Sequence, residues 1–99
     1  MAIAEISIIP IGTRGPSLSE HIARALRVLE GEEGIKYELT SMGTIIEGDL
    51  GQILNLIKQM HEVTFSEEVL RVVTTVKIDD RRDKPLTGEG KVKAVKEKL

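Results

Sequence analysis

Two kinds of hydrophobic spacing alternate along this chain of 99 residues, and their order restricts its fold more than any other feature. Apolar residues three or four apart predict a helix after the first strand and another after the third. Stretches rich in β-branched residues, each too short for a buried helix, predict strands at residues 3–11, 35–42, 44–47 and 70–79. The predicted order is therefore β-α-β-β-α-β.

The first helix is predicted from a capping box and an apolar stripe. Ser17 and Glu20 have the spacing at which a hydroxyl and a carboxylate satisfy the amide hydrogens of a first helical turn. Gly31 or Gly34 can end the helix by taking the left-handed conformation. The stripe between these signals consists of Leu18, Ile22, Ala25, Leu26 and Leu29.

The second helix is predicted to begin after Asp49, a favourable N-cap residue, and to end near residues 61–63. Between the second and third strands, Gly43 is predicted to permit a sharp reversal, so that these strands form a hairpin. The predicted apolar face of the second helix consists of Leu50, Ile53, Leu54, Ile57, Met60 and His61.

A third helix is expected after Pro85, from about residue 87 to residue 99. Its apolar residues Val92, Val95 and Leu99 form only a narrow seam. A helix this short is marginal alone in water, so we expect it to dock on another surface.

This element order is that of the ferredoxin-like arrangement, in which an antiparallel sheet carries both helices on one face. Residues 1–99 are therefore predicted to form a single α+β domain with an extra C-terminal helix. The opposite face of the sheet has no predicted cover, and we expect a partner subunit or a ligand to shield it. Its mixed polar and apolar residues are Glu5, Ser7, Ile9, Thr75 and Lys77.

Composition argues against several classes of function. A net charge of −2 lacks the basic excess that neutralises nucleic-acid phosphates, and Tyr37 and Phe65 are the only aromatic residues that could stack on bases. The absence of Cys excludes disulfides, thiolate metal sites and thiol catalysis. No apolar run is long enough to span a bilayer and no leader-like segment follows Met1, so we expect a cytoplasmic protein without a membrane partner.

Four segments, in order, carry a resemblance that extends over nearly the whole chain. They read Ile-Ile-Pro-Ile-Gly-Thr at residues 8–13, Ser-Met-Gly-Thr-Ile-Ile-Glu-Gly at 41–48, His-Glu at 61–62 and Arg-Val-Val-Thr-Thr-Val-Lys-Ile-Asp-Asp-Arg-Arg-Asp at 71–83. This ordered set resembles the motifs of the thiamine-binding protein family. The resemblance implies a ferredoxin-like subunit, homotetramers formed by pairing of sheets, and binding of thiamine or its hydroxymethylpyrimidine part without catalysis.

The resemblance also implies candidate ligand contacts. The polar strand position of the family falls on Ser7. Its hairpin motif falls on Gly43, Thr44, Glu47 and Gly48. A carboxylate beside a hydroxyl, as Glu47 and Thr44 would supply, can satisfy the donor and acceptor groups of an aminopyrimidine.

The rest of a thiamine molecule would need two further kinds of contact. The candidates to cover the pyrimidine ring are Tyr37, Met42 or an aliphatic wall, because aromatic residues are so few. The cationic thiazolium would be favoured by a nearby carboxylate, for which the candidates are Glu5, Glu47 and Asp79.

Most of these residues also have a purely structural interpretation. Gly43 and Gly48 fit turn geometry, and Thr44 is an ordinary strand residue. Glu47 fits a carboxylate stabilised near a helix N-terminus. Ser7 is harder to explain in this way, because a half-buried hydroxyl in an Ile-rich strand needs a partner.

No residue pattern predicts a metal, cofactor or catalytic site. His21 and His61 are isolated in the sequence, so a structural role is the simpler interpretation. The segment 12–15 lacks both the lysine of a phosphate-binding loop and the glycine spacing of a dinucleotide site. The carboxylates of the segment 79–83 are interrupted by two arginines, which is typical of an ion-paired loop.

Two alternatives to a thiamine-type binding protein stay open. The same fold would support a regulatory module that binds an amino acid or a similar metabolite at a subunit interface. It would also support a small enzyme of the acylphosphatase or monooxygenase type, but neither an anion-binding loop with a well-placed Arg nor a catalytic His is evident. The sequence therefore favours a small-molecule binding protein that is not an enzyme.

Overall fold

The computed structural model describes residues 1–15 and 18–99, and its elements follow the predicted order. They are β1 (Ala2–Ile11), α1 (Ser19–Arg27), β2 (Lys36–Leu39), β3 (Thr44–Gly48), α2 (Leu50–Thr64), β4 (Arg71–Asp80) and α3 (Gly88–Lys96). No helix in the described part of the chain is long and apolar enough to cross a bilayer.

The four strands form an antiparallel sheet in the order β2-β3-β1-β4, which confirms the ferredoxin-like α+β fold. β1 pairs with β4 along its whole length, from Ala2 opposite Asp80 to Ile11 opposite Arg71. Its pairing with β3 is shorter and ends where Ile6 lies opposite Thr44. The last five residues of β1 therefore have a neighbouring strand on one side only.

The core lies between the sheet and the two helices α1 and α2. Its fully buried members include Ala4 and Ile6 of β1, Ile46 of β3, and Leu29 just beyond α1. The buried face of α2 consists of Ile53, Leu56, Ile57, Met60 and Thr64. Burying such aliphatic side chains is the main favourable contribution to folding, about 1.5–3 kcal/mol for each large one.

The predicted face of α2 is wrong at one position. Leu54 is 48% exposed, whereas Leu56 is 1% exposed and takes its place in the core. Ile53, Leu56, Ile57 and Met60 follow the i, i+3, i+4, i+7 spacing of a single helix face, and Leu54 lies one residue off it.

The helix ends agree with the predictions to different degrees. Asp49 caps α2, and its Oδ2 accepts a hydrogen bond from the Gln52 amide at 3.2 Å. Of the predicted capping box at α1, Ser17 lies outside the described residues. α1 ends at Arg27 with Val28 as its C-cap, so neither Gly31 nor Gly34 caps it as predicted, although both take the left-handed conformation, with φ of 76° and 82°.

The face of the sheet opposite α1 and α2, called the open face below, is partly covered by α3. The strand registers place Lys36, Glu47, Ile3 and Asp79 in one row across this face. Three residues of that row hold the start of α3. Glu47 Oε1 accepts a hydrogen bond from the Gly88 amide at 2.6 Å, Lys36 pairs with Glu89 at 3.0 Å, and Asp79 pairs with Lys91.

The expectation of a wholly uncovered face is therefore corrected at this end of the sheet. The attachment of α3 is polar, since none of its residues is buried and Val92 and Val95 are 54% and 61% exposed. The predicted apolar seam does not dock within the described chain. The remainder of the open face agrees with the prediction: Glu5 lies opposite Lys77, Ser7 opposite Thr75, and Ile9 opposite Val73.

Candidate functional site

A cavity of about 330 Å³ lies at the end of the sheet where β3 begins, beside the last β1–β3 pair, Ile6 and Thr44. Its wall is formed by α1, by residues 6–9 of β1, by the turn between β2 and β3, and by the last turn of α2. The six residues predicted to bind the ligand are Ser7, Tyr37, Met42, Gly43, Thr44 and Glu47. Four of them line this cavity, namely Ser7, Met42, Gly43 and Thr44. Residues that are distant in the sequence are thus brought together at one cavity.

The cavity lies beside the unpaired edge of β1. Beyond Ile6, β1 pairs with β4 but has no strand on its other side in the described chain. Pro10 is compatible with this segment, because a proline beside an empty edge interrupts no ladder on that side. Backbone donors and acceptors on such an edge are available to another group, which can be a ligand.

The turn between β2 and β3 forms the rim of the cavity. Both the amide and the hydroxyl of Thr40 donate to the carbonyl oxygen of Gly43, at 2.8 and 2.9 Å, and the Met42 amide donates to the Thr40 hydroxyl at 3.3 Å. These bonds fix the turn. Met42 stays 82% exposed, so its flexible side chain is free to cover a bound ring.

Gly43 is required for space and not for a left-handed conformation. An added Cβ would lie 2.7 Å from the carbonyl oxygen of Ile6, a distance shorter than real Cβ atoms show. Its φ is not in the left-handed region, unlike that of Gly12, Gly31 and Gly34. Gly48 is tight but less restricted, since its Cβ would lie 3.0 Å from a side-chain atom, Ile35 Cγ2. For Gly43, the predicted reason, turn geometry, is corrected to close approach.

His21 is a cavity residue that the sequence did not indicate. It lies on α1, and its Nδ1 is buried without a hydrogen-bond partner among the described residues. A signal was present, because His21 comes three residues after Leu18 and four before Ala25 and so lies on the apolar stripe. A polar ring in that stripe faces either the core or a cavity.

The cavity wall carries no carboxylate, lysine or arginine among the described residues that line it. The carboxylates proposed for the thiazolium have partners elsewhere. Glu5 pairs with Lys77 at 3.7 Å, Asp79 pairs with Lys91, and Glu47 accepts the Gly88 amide hydrogen. The cavity thus suits an uncharged group better than a cation.

Tyr37 and Glu47, the other two predicted contacts, lie outside this cavity. They border a groove of about 810 Å³ between α3 and the β2–β3 edge of the sheet. There Glu47 stabilises the N-terminus of α3, because a carboxylate that accepts an amide hydrogen in the first turn also favours the helix dipole. The six predicted residues are therefore divided between two places.

Two other sequence features have structural roles. Arg81 binds Asp83 at 2.6 and 3.0 Å and Arg82 binds Asp80 at 2.8 Å, so the loop after β4 is ion-paired as predicted. These hydrogen bonds to the guanidinium groups lower the pKa of Asp80 and Asp83.

His61 also has a structural environment. Its Nδ1 lies 2.6 Å from the Thr74 hydroxyl, and its ring meets Phe65 edge to face at 5.3 Å. These contacts join the end of α2 to β4, which agrees with the structural interpretation of this residue.

The fold and the cavity together define a small α+β protein of ferredoxin-like topology with a pocket at the end of its sheet. Residues 4–96 match the model of a family described as thiamine-binding protein. YqgV of Bacillus subtilis, a UPF0045 protein, is 47% identical over 102 residues, which cover 100% of this chain and 98% of YqgV. The chain therefore belongs to the thiamine-binding protein family, as the resemblance of its motifs implied.

Solved structures agree with this assignment. MJ1052 of Methanocaldococcus jannaschii superposes with a TM-score of 0.86 at 43% identity, covering 97% of this chain and 96% of that one. A Thermotoga maritima protein, TM0486, superposes with a TM-score of 0.76 at 26% identity, covering 95% and 97%. TM0486 is described provisionally as a thiamine biosynthesis/salvage protein.

Proposed function

We propose that this protein binds thiamine or its hydroxymethylpyrimidine part in the cavity beside the unpaired edge of β1, without catalysing a reaction. The observation that carries the proposal is the cavity itself, of about 330 Å³ and with an uncharged wall. That volume is at the lower end of the range typical of small-molecule sites, roughly 300–1,000 Å³. Membership of a thiamine-binding family and the description of TM0486 support the choice of ligand.

The chemistry of the wall matches an aminopyrimidine. Such a ring presents a donor and acceptors along one edge and two apolar faces. The Thr44 side chain is 5% exposed, no hydrogen bond of its hydroxyl is found in the described structure, and it lies beside the unpaired edge of β1. The hydroxyl and the backbone edge can pair with the polar edge of the ring, while Met42 and the aliphatic wall cover its faces.

The proposal includes a homo-oligomer, with the tetramer as the expected state and the ligand near a subunit interface. The support is the uncovered part of the open face, where Ile9 and Val73 are each 43% exposed and lie opposite each other. Ser7 lies on that face and also borders the cavity, so a second subunit there would approach the ligand. The expected cytoplasmic location stays a prediction.

The test is calorimetric titration with thiamine, with hydroxymethylpyrimidine and with a panel of amino acids. We expect saturable heat with the first two and none with the amino acids, because the wall offers no charged side chain to an ammonium or a carboxylate group. No heat with the first two would refute the proposal. Saturable binding of an amino acid would favour a regulatory module.

Two variants test the individual contacts. Thr44→Val should weaken hydroxymethylpyrimidine binding about two- to tenfold, because it removes one hydrogen bond worth roughly 0.5–1.5 kcal/mol. Asn55→Ala, on the exposed side of α2, is the matched control.

Glu47→Gln tests the prediction that Glu47 contacts the ligand: a weaker affinity with an intact fold would support it, and an unchanged affinity would remove Glu47 from the site.

A further inference from the structure

The buried nitrogen of His21 is a feature of the cavity that the proposed function does not yet use. His21 Nδ1 has no hydrogen-bond partner among the described residues, although it is buried. A buried polar atom without a partner loses its hydrogen bonds to water and gains nothing in return. Such atoms are rare in folded proteins, and each calls for an explanation.

Two other polar side chains of the wall, those of Thr40 and Thr64, are already engaged within the chain. The Thr40 hydroxyl donates to the Gly43 carbonyl oxygen at 2.9 Å, and the Thr64 hydroxyl donates to the Met60 carbonyl oxygen at 2.8 Å. A ligand in the cavity would gain little from either donor. His21 lines the cavity, but its Nδ1 has almost no surface exposed to it, so a ligand reaches this atom only when the imidazole ring turns.

The surroundings of His21 in the cavity carry no charged side chain among the described residues. The stretches of β1, of the hairpin turn and of α2 that line the cavity contribute no charged side chain in the described structure. On α1 itself, the nearest charged residues in sequence, Glu20 and Arg24, are exposed. A cation in this cavity would therefore have no opposite charge beside it.

We infer that His21 Nδ1 makes the directional hydrogen bond by which the cavity recognises an uncharged aminopyrimidine ring, so that the cationic thiazolium of thiamine stays outside. This inference rests on the proposed function and adds the residue that selects the part of the ligand that enters. The amino group of such a ring is a donor and the adjacent ring nitrogen an acceptor, so the ring can match either tautomer of the imidazole.

The experiment compares His21→Phe, which keeps a ring of similar size without a polar atom, with His21→Asn, which keeps a polar group. The probes are hydroxymethylpyrimidine and an analogue that lacks the exocyclic amino group, both titrated by calorimetry. We expect His21→Phe to bind hydroxymethylpyrimidine about tenfold or more weakly and to discriminate less between the probes. His21→Asn should retain more of both properties, and Glu20→Ala, on the exposed side of α1, should bind like the unaltered protein.

Failure of this inference is distinguishable from failure of the proposed function. If the unaltered protein binds hydroxymethylpyrimidine and His21→Phe binds it equally well, the role of His21 is refuted while the proposed function stands. If the unaltered protein binds neither hydroxymethylpyrimidine nor thiamine, both are refuted. A readout without substitution is the NMR signal of the His21 ring nitrogens: saturation with ligand should shift them, and unchanged signals would overturn the inference even if a variant fails to fold.

Discussion

Gly43 and His21 show how single residues shape the cavity. Gly43 lets the hairpin turn approach the Ile6 carbonyl oxygen, and His21 places a polar atom in a mostly apolar wall. The sequence predicted a glycine-dependent turn but not its reason, because a close approach between segments 37 residues apart (43 minus 6) has no local signature. Single-residue patterns likewise give no weight to an isolated histidine until the fold shows what surrounds it.

Replacing Gly43 tests the close approach directly. Gly43→Ala would place a Cβ 2.7 Å from the Ile6 carbonyl oxygen, and both atoms belong to backbone segments that cannot turn aside. We expect a loss of about 1–3 kcal/mol in the free energy of unfolding, measured by urea denaturation. Gly15→Ala is the control, because nothing lies within 4 Å of its Cβ position. Equal stability of the two variants would contradict the proposed role of Gly43.

At the scale of elements, α2 and α3 differ in what holds them. α2 buries five residues and is capped by Asp49, whereas α3 buries none and is attached through polar contacts at its start. Apolar spacing and an N-cap residue predicted α2 to within a residue or two. The position of α3 could not be predicted, because its contacts are ion pairs and one hydrogen bond between segments far apart in the sequence.

The two helix caps provide a matched comparison. Asp49 accepts from the Gln52 amide at 3.2 Å and Thr87 accepts from the Gly90 amide at 2.9 Å. Asp49→Ala should lower the global free energy of unfolding by about 1 kcal/mol. Thr87→Ala should leave it within about 0.5 kcal/mol and instead speed hydrogen exchange of the amides in α3, since that helix adds no buried surface. The same loss of global stability in both variants would show that α3 belongs to the cooperative core.

At the scale of the whole molecule, the open face is the surface through which we expect subunits to assemble. Alternation along β1 and β4 was enough to predict that Glu5, Ser7 and Ile9 share this face, because successive residues in a strand point to opposite sides. The cavity was not predictable in the same way. It depends on β3 being shorter than β1 and on the place where the hairpin turns, and neither length is encoded by spacing alone.

A charge on the open face tests its part in assembly. If the open face is an interface between copies, as proposed, Val73→Lys should convert the oligomer into smaller species in analytical ultracentrifugation, because a lysine in an apolar interface would lose its hydration without a partner. Leu54→Lys is matched to it, since Leu54 is 48% exposed and Val73 is 43% exposed, but Leu54 lies on the outer side of α2. If the unaltered protein is a monomer at working concentrations, the open face is not an interface between copies.

The unbroken pairing of ten residues between β1 and β4 also restricts how the gene can vary. Because neighbouring residues of β1 alternate between the helix side and the open face, a deletion or insertion of one codon would exchange the two sets of side chains beyond that point. Aliphatic core residues would then lie on the open face, and Ser7 would lie on the side of the helices. Related sequences should therefore differ in β1 by substitution while its length stays constant.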